Sequence, residues 1–384
     1  MTTTSPPPSN SASASSGAPL LEVTNLSTTF TTPRGLIRAN DSISFTLRRG
    51  ETIGVVGETG SGKTVLGRSI LGVLPSRYTT YTGSVRFQGT ELTTQSRAEL
   101  AKLWGSELSM VMQNPMTALA PARRIGQQLA DGLRHHLGMS RSEAKAEAIR
   151  LLYDVRIPDP ERRSKAFPYQ LSGGLRQRVT IALALAANPS LLIADEITTA
   201  LDVTVAAQIL DLLGRIRDER AMGMILVSHD LGVIATRTDA VKVMYAGRIV
   251  ESATTRALFA SPRHPYTEAL LGSIPRHSHT PHTPLNAIPG APPNLGRLPV
   301  GCSFAPRCAY AQDRCREERP ELVDDGTGHA VACHFPRNLP GSSVGAGTNE
   351  AVRVENKTAK VCEERNAVDV SVATGSPAAR EGGT

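Results

Sequence analysis

Gly57-Glu58-Thr59-Gly60-Ser61-Gly62-Lys63-Thr64 is the stretch that decides the fold. Two glycines with four residues between them precede a lysine and a hydroxyl residue. Before the stretch, Thr52-Ile53-Gly54-Val55-Val56 reads as a short buried strand. After it, Val65, Leu66, Ile70 and Leu71 recur at helical spacing. A glycine-rich turn between a strand and a helix is the setting a phosphate loop requires. Gly57, Gly60 and Gly62 let the backbone curl around phosphate oxygens. Successive N–H groups then converge on the anion, and the helix N-terminus adds partial positive charge. Lys63 supplies a full charge to the outer phosphates, and the Thr64 hydroxyl is placed to ligate Mg²⁺.

The 384 residues suggest about two domains, and a hydrophobic content of 40% supports a real core. The formal charge of +7 is modest, and the basic residues are scattered rather than interleaved with aromatics, which argues against nucleic-acid binding. The first 18 residues carry no apolar core of a signal peptide. The apolar run from Val179 to Ala187 is too short to span a membrane and ends at Asn188-Pro189. A cytoplasmic chain is expected, with any membrane role resting on a partner that spans.

An α/β fold is expected. Residues 1–18 read as a disordered tail, 19–273 as the nucleotide-binding domain, 274–335 as a C-terminal domain and 336–384 as a second tail. Alternating runs over residues 20–56 and Gly83–Phe87 predict antiparallel strands. Residues 97–170 turn helical and charged, with a break at Pro158 and Pro160, and read as a helical insertion. Leu191–Ala194 and Met224–Val227 suit parallel strands buried on both faces. Thr204–Arg217 predicts a helix, and Ala246-Gly247 a hairpin turn.

Asp195 and Glu196 end the strand that starts at Leu191, where ligands of such folds bind. Asp195 can hold Mg²⁺, and Glu196 can polarise an attacking water. Leu171-Ser172-Gly173-Gly174-Leu175-Arg176-Gln177 opens a helix with Ser172 as its cap, a second phosphate-reading helix end. One chain cannot easily fold both ends onto one phosphate. Two nucleotide domains that each offer this end to the other's ATP are the economical solution.

Leu171, Ser172, Gly173, Gly174 and Gln177 resemble the signature motif of ABC transporter ATP-binding subunits, and the family's other marks follow. Gln113 matches the Q-loop glutamine that senses nucleotide, joins Thr64 and Asp195 on Mg²⁺ and touches the membrane partner. Asp202, in Ala200-Leu201-Asp202, matches the D-loop, and His229 matches the switch histidine. Phe30 falls where the family stacks an aromatic on adenine. Asn114–Leu119, His264–Leu271 and Gly301–Cys308 are similar to the oligopeptide/dipeptide importer branch. Ile197 stands where the family usually has Pro, and Ala120 where an Asn often precedes the proline matched by Pro121. The resemblance implies an ATPase at the cytoplasmic face of the membrane, two permease subunits, a second ATPase subunit and an external binding protein. Peptide cargo is expected; nickel and glutathione are the alternatives within the branch. A soluble ABC ATPase is the rival, though such proteins usually carry tandem domains or a long coiled coil.

Cys302, Cys308, Cys315 and Cys333 are separated by five, six and seventeen residues. Four thiolates can hold a cluster or a zinc ion, and the usual paired spacing of structural zinc sites is absent. Disulfides are disfavoured in a cytosolic chain. His277, His279 and His282 lie in a loop that reads as solvated, and Cys362 lies in the tail. Similar C-terminal extensions can carry a [4Fe–4S] cluster, which is the expectation here. Nothing in the sequence places it within reach of the ATP, so its role is expected to be structural.

Overall fold

The computed structural model describes residues 18–33, 35–199, 201–274 and 288–339. The readings of the N-terminal tail up to residue 17, the three-histidine loop, Ala200, Cys362 and nearly all of the C-terminal tail lie outside them.

The chain opens with a long antiparallel pair, β1 (Leu21–Thr32) and β2 (Gly35–Leu47). β3 (Thr52–Val56) enters a second sheet and feeds α1 (Lys63–Ile70). β4 (Thr79–Phe87) returns to the free side of β1, with β5 (Thr90–Glu91) outside it. Next come α2 (Arg97–Leu103) and β6 (Leu108–Val111). A helical layer follows: α3 (Ile125–Leu137), α4 (Arg141–Asp154) and α5 (Pro160–Arg163). The chain re-enters the main sheet through α6 (Gly173–Leu185) and β7 (Leu191–Asp195). It continues with α7 (Val203–Arg220), β8 (Gly223–Val227), α8 (Leu231–Arg237), β9 (Ala240–Tyr245) and β10 (Arg248–Thr254). α9 (Thr255–Ala260), α10 (Pro265–Gly272), α11 (Asp313–Glu317), β11 (Val323–Asp324) and β12 (Ala330–Val331) complete it.

The main sheet runs β11-β12-β10-β9-β3-β8-β7-β6, parallel from β9 to β6 and antiparallel beyond β9. Alternate residues of its central strands serve two cores. Leu191, Ile193, Ile225 and Val227 face α1 and the antiparallel sheet. Leu192, Ala194, Met224 and Leu226 face the core shared with α6 and the helical layer. Both faces are dry, so these strands read as unbroken apolar runs. Backbone approach is close where the strands carry phosphate chemistry: Gly54 lies under Ile234 of α8, and Gly67 of α1 lies on Ile193.

Two sequence readings need correction. The stretch 97–170 is not wholly helical, because β6 lies within it and pairs with β7 at the sheet edge. The helical layer proper is held by Leu129, Leu133, Ala144 and Ala148 between α3 and α4. A Ser140–Glu143 capping box starts α4. Nor is 274–335 a separate domain. β12 pairs with β10 through Glu251↔Val331 and Ser252↔Ala330, so its strands extend the main sheet. The buried Glu251 carboxylate fastens the join: it accepts from the Arg263 and His264 backbone N–H groups at 2.6 and 2.9 Å, and meets His329 Nε2 at 2.7 Å.

Candidate nucleotide site

The phosphate loop is held in a backbone form only glycine tolerates at two points. Gly57 has φ +151° and Gly62 φ +101°, and a Cβ would strike the Met244 carbonyl oxygen in the first case and the Ala39 carbonyl oxygen in the second. Thr59 and Gly60 are exposed at the mouth of the loop. Lys63 is buried, and its Nζ donates to the carbonyls of Gly57 (2.7 Å) and Glu58 (3.0 Å). Burial pushes the Lys63 pKa down, opposed by the carboxylates of Glu196, Asp195 and Glu58. Ser61 Oγ is buried without a partner among the described residues. An orphaned hydroxyl in a curled, cationic loop marks a place for a polar guest.

Asp195 ends β7, fully buried beside the loop. Its Oδ1 accepts from Thr64 Oγ1 at 3.2 Å, while Oδ2 has no partner. Burial holds its pKa above the usual carboxylate range, as for an acid whose counter-ion is still to come. Thr64 and Asp195 thus fit a hard cation with oxygen ligands. A magnesium ion there would neutralise charge on the outer phosphates.

Glu196 follows with φ +49°, a left-handed backbone unusual for this residue. Its N–H donates to the Val227 carbonyl at 3.0 Å, which pins the turn at the C-terminal ends of β7 and β8. Gln113 Nε2 donates to Glu196 Oε2 at 2.6 Å, and His229 Nδ1 stands 3.7 Å from the same oxygen. The His229 side chain is 61% exposed, free to meet a ligand that arrives from solvent. Gln113 and His229, just past β6 and β8, therefore converge on the carboxylate of Glu196, just past β7, beside the phosphate loop. Ile197, at the family's usual proline position, is buried in the core and leaves Glu196 in place.

Ser172 caps α6, its Oγ accepting from Leu175 N–H at 3.3 Å, and Gly173 next to it faces open space. Among the described residues no hydrogen bond or ion pair joins this helix end to the phosphate loop. Leu171 is buried in the core, and Gln177 is 1% exposed with neither amide atom partnered. Leu171, just before the cap, and Gln177, on α6, face inward, while Ser172 and Gly173 are exposed. Asp202 is exposed and caps α7, accepting from Val205 N–H at 2.9 Å. Phe30 sits half-buried on β1, opposite Ile37 and Thr79.

Sequence reasoning missed a contact between the C-terminal module and the phosphate loop. Arg307 donates to both carboxylate oxygens of Glu58, at 2.6 and 2.9 Å, and the Glu58 N–H donates to Tyr266 Oη at 2.8 Å. The module is therefore not remote from the nucleotide site. Its sequence, Gly301–Cys308, carried the signal: an arginine beside a cysteine, read only for the cysteine.

Cys302, Cys308, Cys315 and Cys333 are free thiols that line one small apolar pocket with Pro265 and Phe304. Burial raises the pKa of Cys302 and Cys308 and lifts Cys333 to about 12. Among the described residues no group of three or more His, Cys, Asp or Glu is arranged to hold a single metal ion.

Comparison with known proteins agrees with this geometry. The family described as "ABC transporter" matches residues 40–199. That described as "Oligopeptide/dipeptide transporter, C-terminal region" matches residues 250–315. The oligopeptide transport ATP-binding protein OppD of Salmonella typhimurium is 46% identical over 317 residues, 83% of this chain and 94% of that protein. The chain belongs to the ABC transporter family, in its oligopeptide/dipeptide branch. OppD of Mycobacterium tuberculosis is 47% identical over 317 residues, but this chain spans only 52% of it. The dimeric ATP-binding cassette MJ0796 bound to ADP and Pi superposes with a TM-score of 0.57 at 25% identity, covering 62% of this chain and 99% of that one. The ABC ATPase fold and ATPase activity follow. Among the described residues no helix is long and apolar enough to cross a membrane.

Proposed function

We propose that this ABC ATPase powers import of oligopeptides or dipeptides. It docks on two permease subunits at the cytoplasmic face of the membrane and pairs with a second ATPase subunit. An extracytoplasmic binding protein delivers the cargo. The observation that carries the reading is the match of residues 250–315 to the oligopeptide/dipeptide C-terminal region, a stretch that begins on β10 of the main sheet and sets Arg307 against Glu58. Lys63, Thr64, Asp195, Glu196, Gln113 and His229 act on ATP and Mg²⁺, while Ser172 and Gly173 read the nucleotide of the partner subunit. The complex reconstituted in liposomes should hydrolyse ATP faster when peptide-loaded binding protein is present. Stimulation by nickel or glutathione and not by peptides would move the cargo within the branch. Full activity with no membrane partner would favour a soluble ATPase.

A [4Fe–4S] cluster on Cys302, Cys308, Cys315 and Cys333 is part of the same proposal. It is supported by four free thiols on one apolar pocket, of which burial holds the protons of Cys302, Cys308 and Cys333 until a metal displaces them. Protein purified without oxygen should be brown and lose iron in Cys308→Ser; colourless protein with one zinc per chain would establish zinc instead.

A further inference from the structure

Glu58 is the first variable residue of the phosphate loop, and it is held from two sides by residues outside that loop. Tyr266, from α10, accepts its backbone N–H. Arg307, from the turn between Cys302 and Cys308, grips its carboxylate bidentately. Arg307 is itself fixed: its side chain is buried, Nε donates to the Pro289 carbonyl at 2.8 Å, and Nη1 reaches Tyr245 Oη at 3.3 Å. Phe304, three residues before Arg307, packs on Tyr245 and Tyr266 with ring centroids 5.2 and 5.4 Å apart. An aromatic cluster and one guanidinium thus join the cysteine module to the loop.

The chemistry calls for such a partner. A phosphate loop must welcome a polyanion, and a carboxylate within it repels that guest. Glu58 also acts on the Lys63 ammonium, the charge meant for the phosphates. A planar, permanently charged guanidinium in fork geometry neutralises Glu58 and fixes its direction at once. We propose that Arg307 is a positioning residue for nucleotide binding: through Glu58, the C-terminal module sets the charge and shape of the phosphate loop. Nucleotide affinity is therefore coupled to the order of the module. The inference rests on the reading of residues 57–64 as the ATP site.

ATP affinity of the full chain, measured by calorimetry with Mg²⁺, tests it. Arg307→Met should weaken ATP binding on the order of tenfold, because it strands a carboxylate against the phosphates. The double variant Glu58→Gln/Arg307→Met should recover most of the affinity that Arg307→Met loses, with Glu58→Gln measured as the reference corner of the cycle. Arg307→Lys, which keeps the charge but not the fork, should fall between. A merely structural arginine would lower the melting temperature of every Arg307 variant and leave ATP affinity unchanged in the folded protein; that result overturns the proposal. So does a double variant as weak as Arg307→Met alone. Should Arg307→Met not fold, Arg307→Lys and the double variant still decide. Lys63→Ala is the control: loss of ATP binding there with wild-type affinity in Arg307→Met sinks this inference alone, whereas normal binding in Lys63→Ala sinks the ATP-site reading.

Discussion

At the scale of single residues, Glu196 concentrates the chemistry. It is the one carboxylate approached by both Gln113 and His229, and its left-handed backbone is the kind of strain functional positions retain. Glu196→Gln keeps the shape and the Gln113 neighbour but removes the charge that orients water. Steady-state ATPase of the assembled complex should fall by roughly 10²–10⁴, with ATP binding retained. Turnover near wild type would remove Glu196 from the catalytic role. The phosphate loop was legible because Gly57 and Gly62 answer to hard sterics: φ values of +151° and +101°, and carbonyls where a Cβ would sit. The signature motif was legible as a helix start, while a string of letters does not say which of its positions are buried, as Leu171 and Gln177 are. Arg307 escaped notice because its partner lies 249 residues away in sequence.

At the scale of elements, α10 illustrates how a cap can carry a cost. His264 is fully buried, and its Nδ1 accepts the Tyr266 N–H at 3.0 Å. Burial holds its pKa down to about 4, against a weaker opposing pull from Glu251. The folded imidazole stays neutral while the unfolded one takes up a proton below about pH 6.5. Stability present above that pH is therefore lost as pH falls toward 4, by up to about 3 kcal/mol. His264→Asn keeps a capping acceptor and cannot titrate. Urea unfolding between pH 7.5 and 5 should give a flatter stability profile for the variant; identical slopes would refute a neutral buried histidine. Elements with long periodicity, such as α7 and the dry strands β7 and β8, were readable from sequence. β6 was not, since Leu108-Ser109-Met110-Val111 is four residues long, includes a serine and follows a charged helix. Only its pairing with β7 makes it a strand.

At the scale of the whole molecule, the proposed pairing with a second ATPase subunit makes one chain half a machine. Ser172 and Gly173 present an exposed helix end that, among the described residues, makes no hydrogen bond to the phosphate loop of its own chain. ATPase activity should therefore rise more steeply than linearly with protein concentration. Ser172→Arg should suppress that rise by setting bulk and misdirected charge against the partner's nucleotide. Full activity from a verified monomer would contradict a shared site. The division into domains was the least legible feature. Proline and histidine accumulate after residue 274, which reads as a boundary, yet the chain comes back to β10 and completes its sheet.

That return has a consequence for any shortened version of the protein. Cutting before residue 320 would strip β12 from β10 and leave a bare strand edge, a template for other chains. It would also leave Glu251 sealed in the interior without the His329 imidazole. A fragment trimmed to the nucleotide-binding segment alone would keep every nucleotide motif, yet lose Arg307 from the phosphate loop and offer its open sheet edge to other chains.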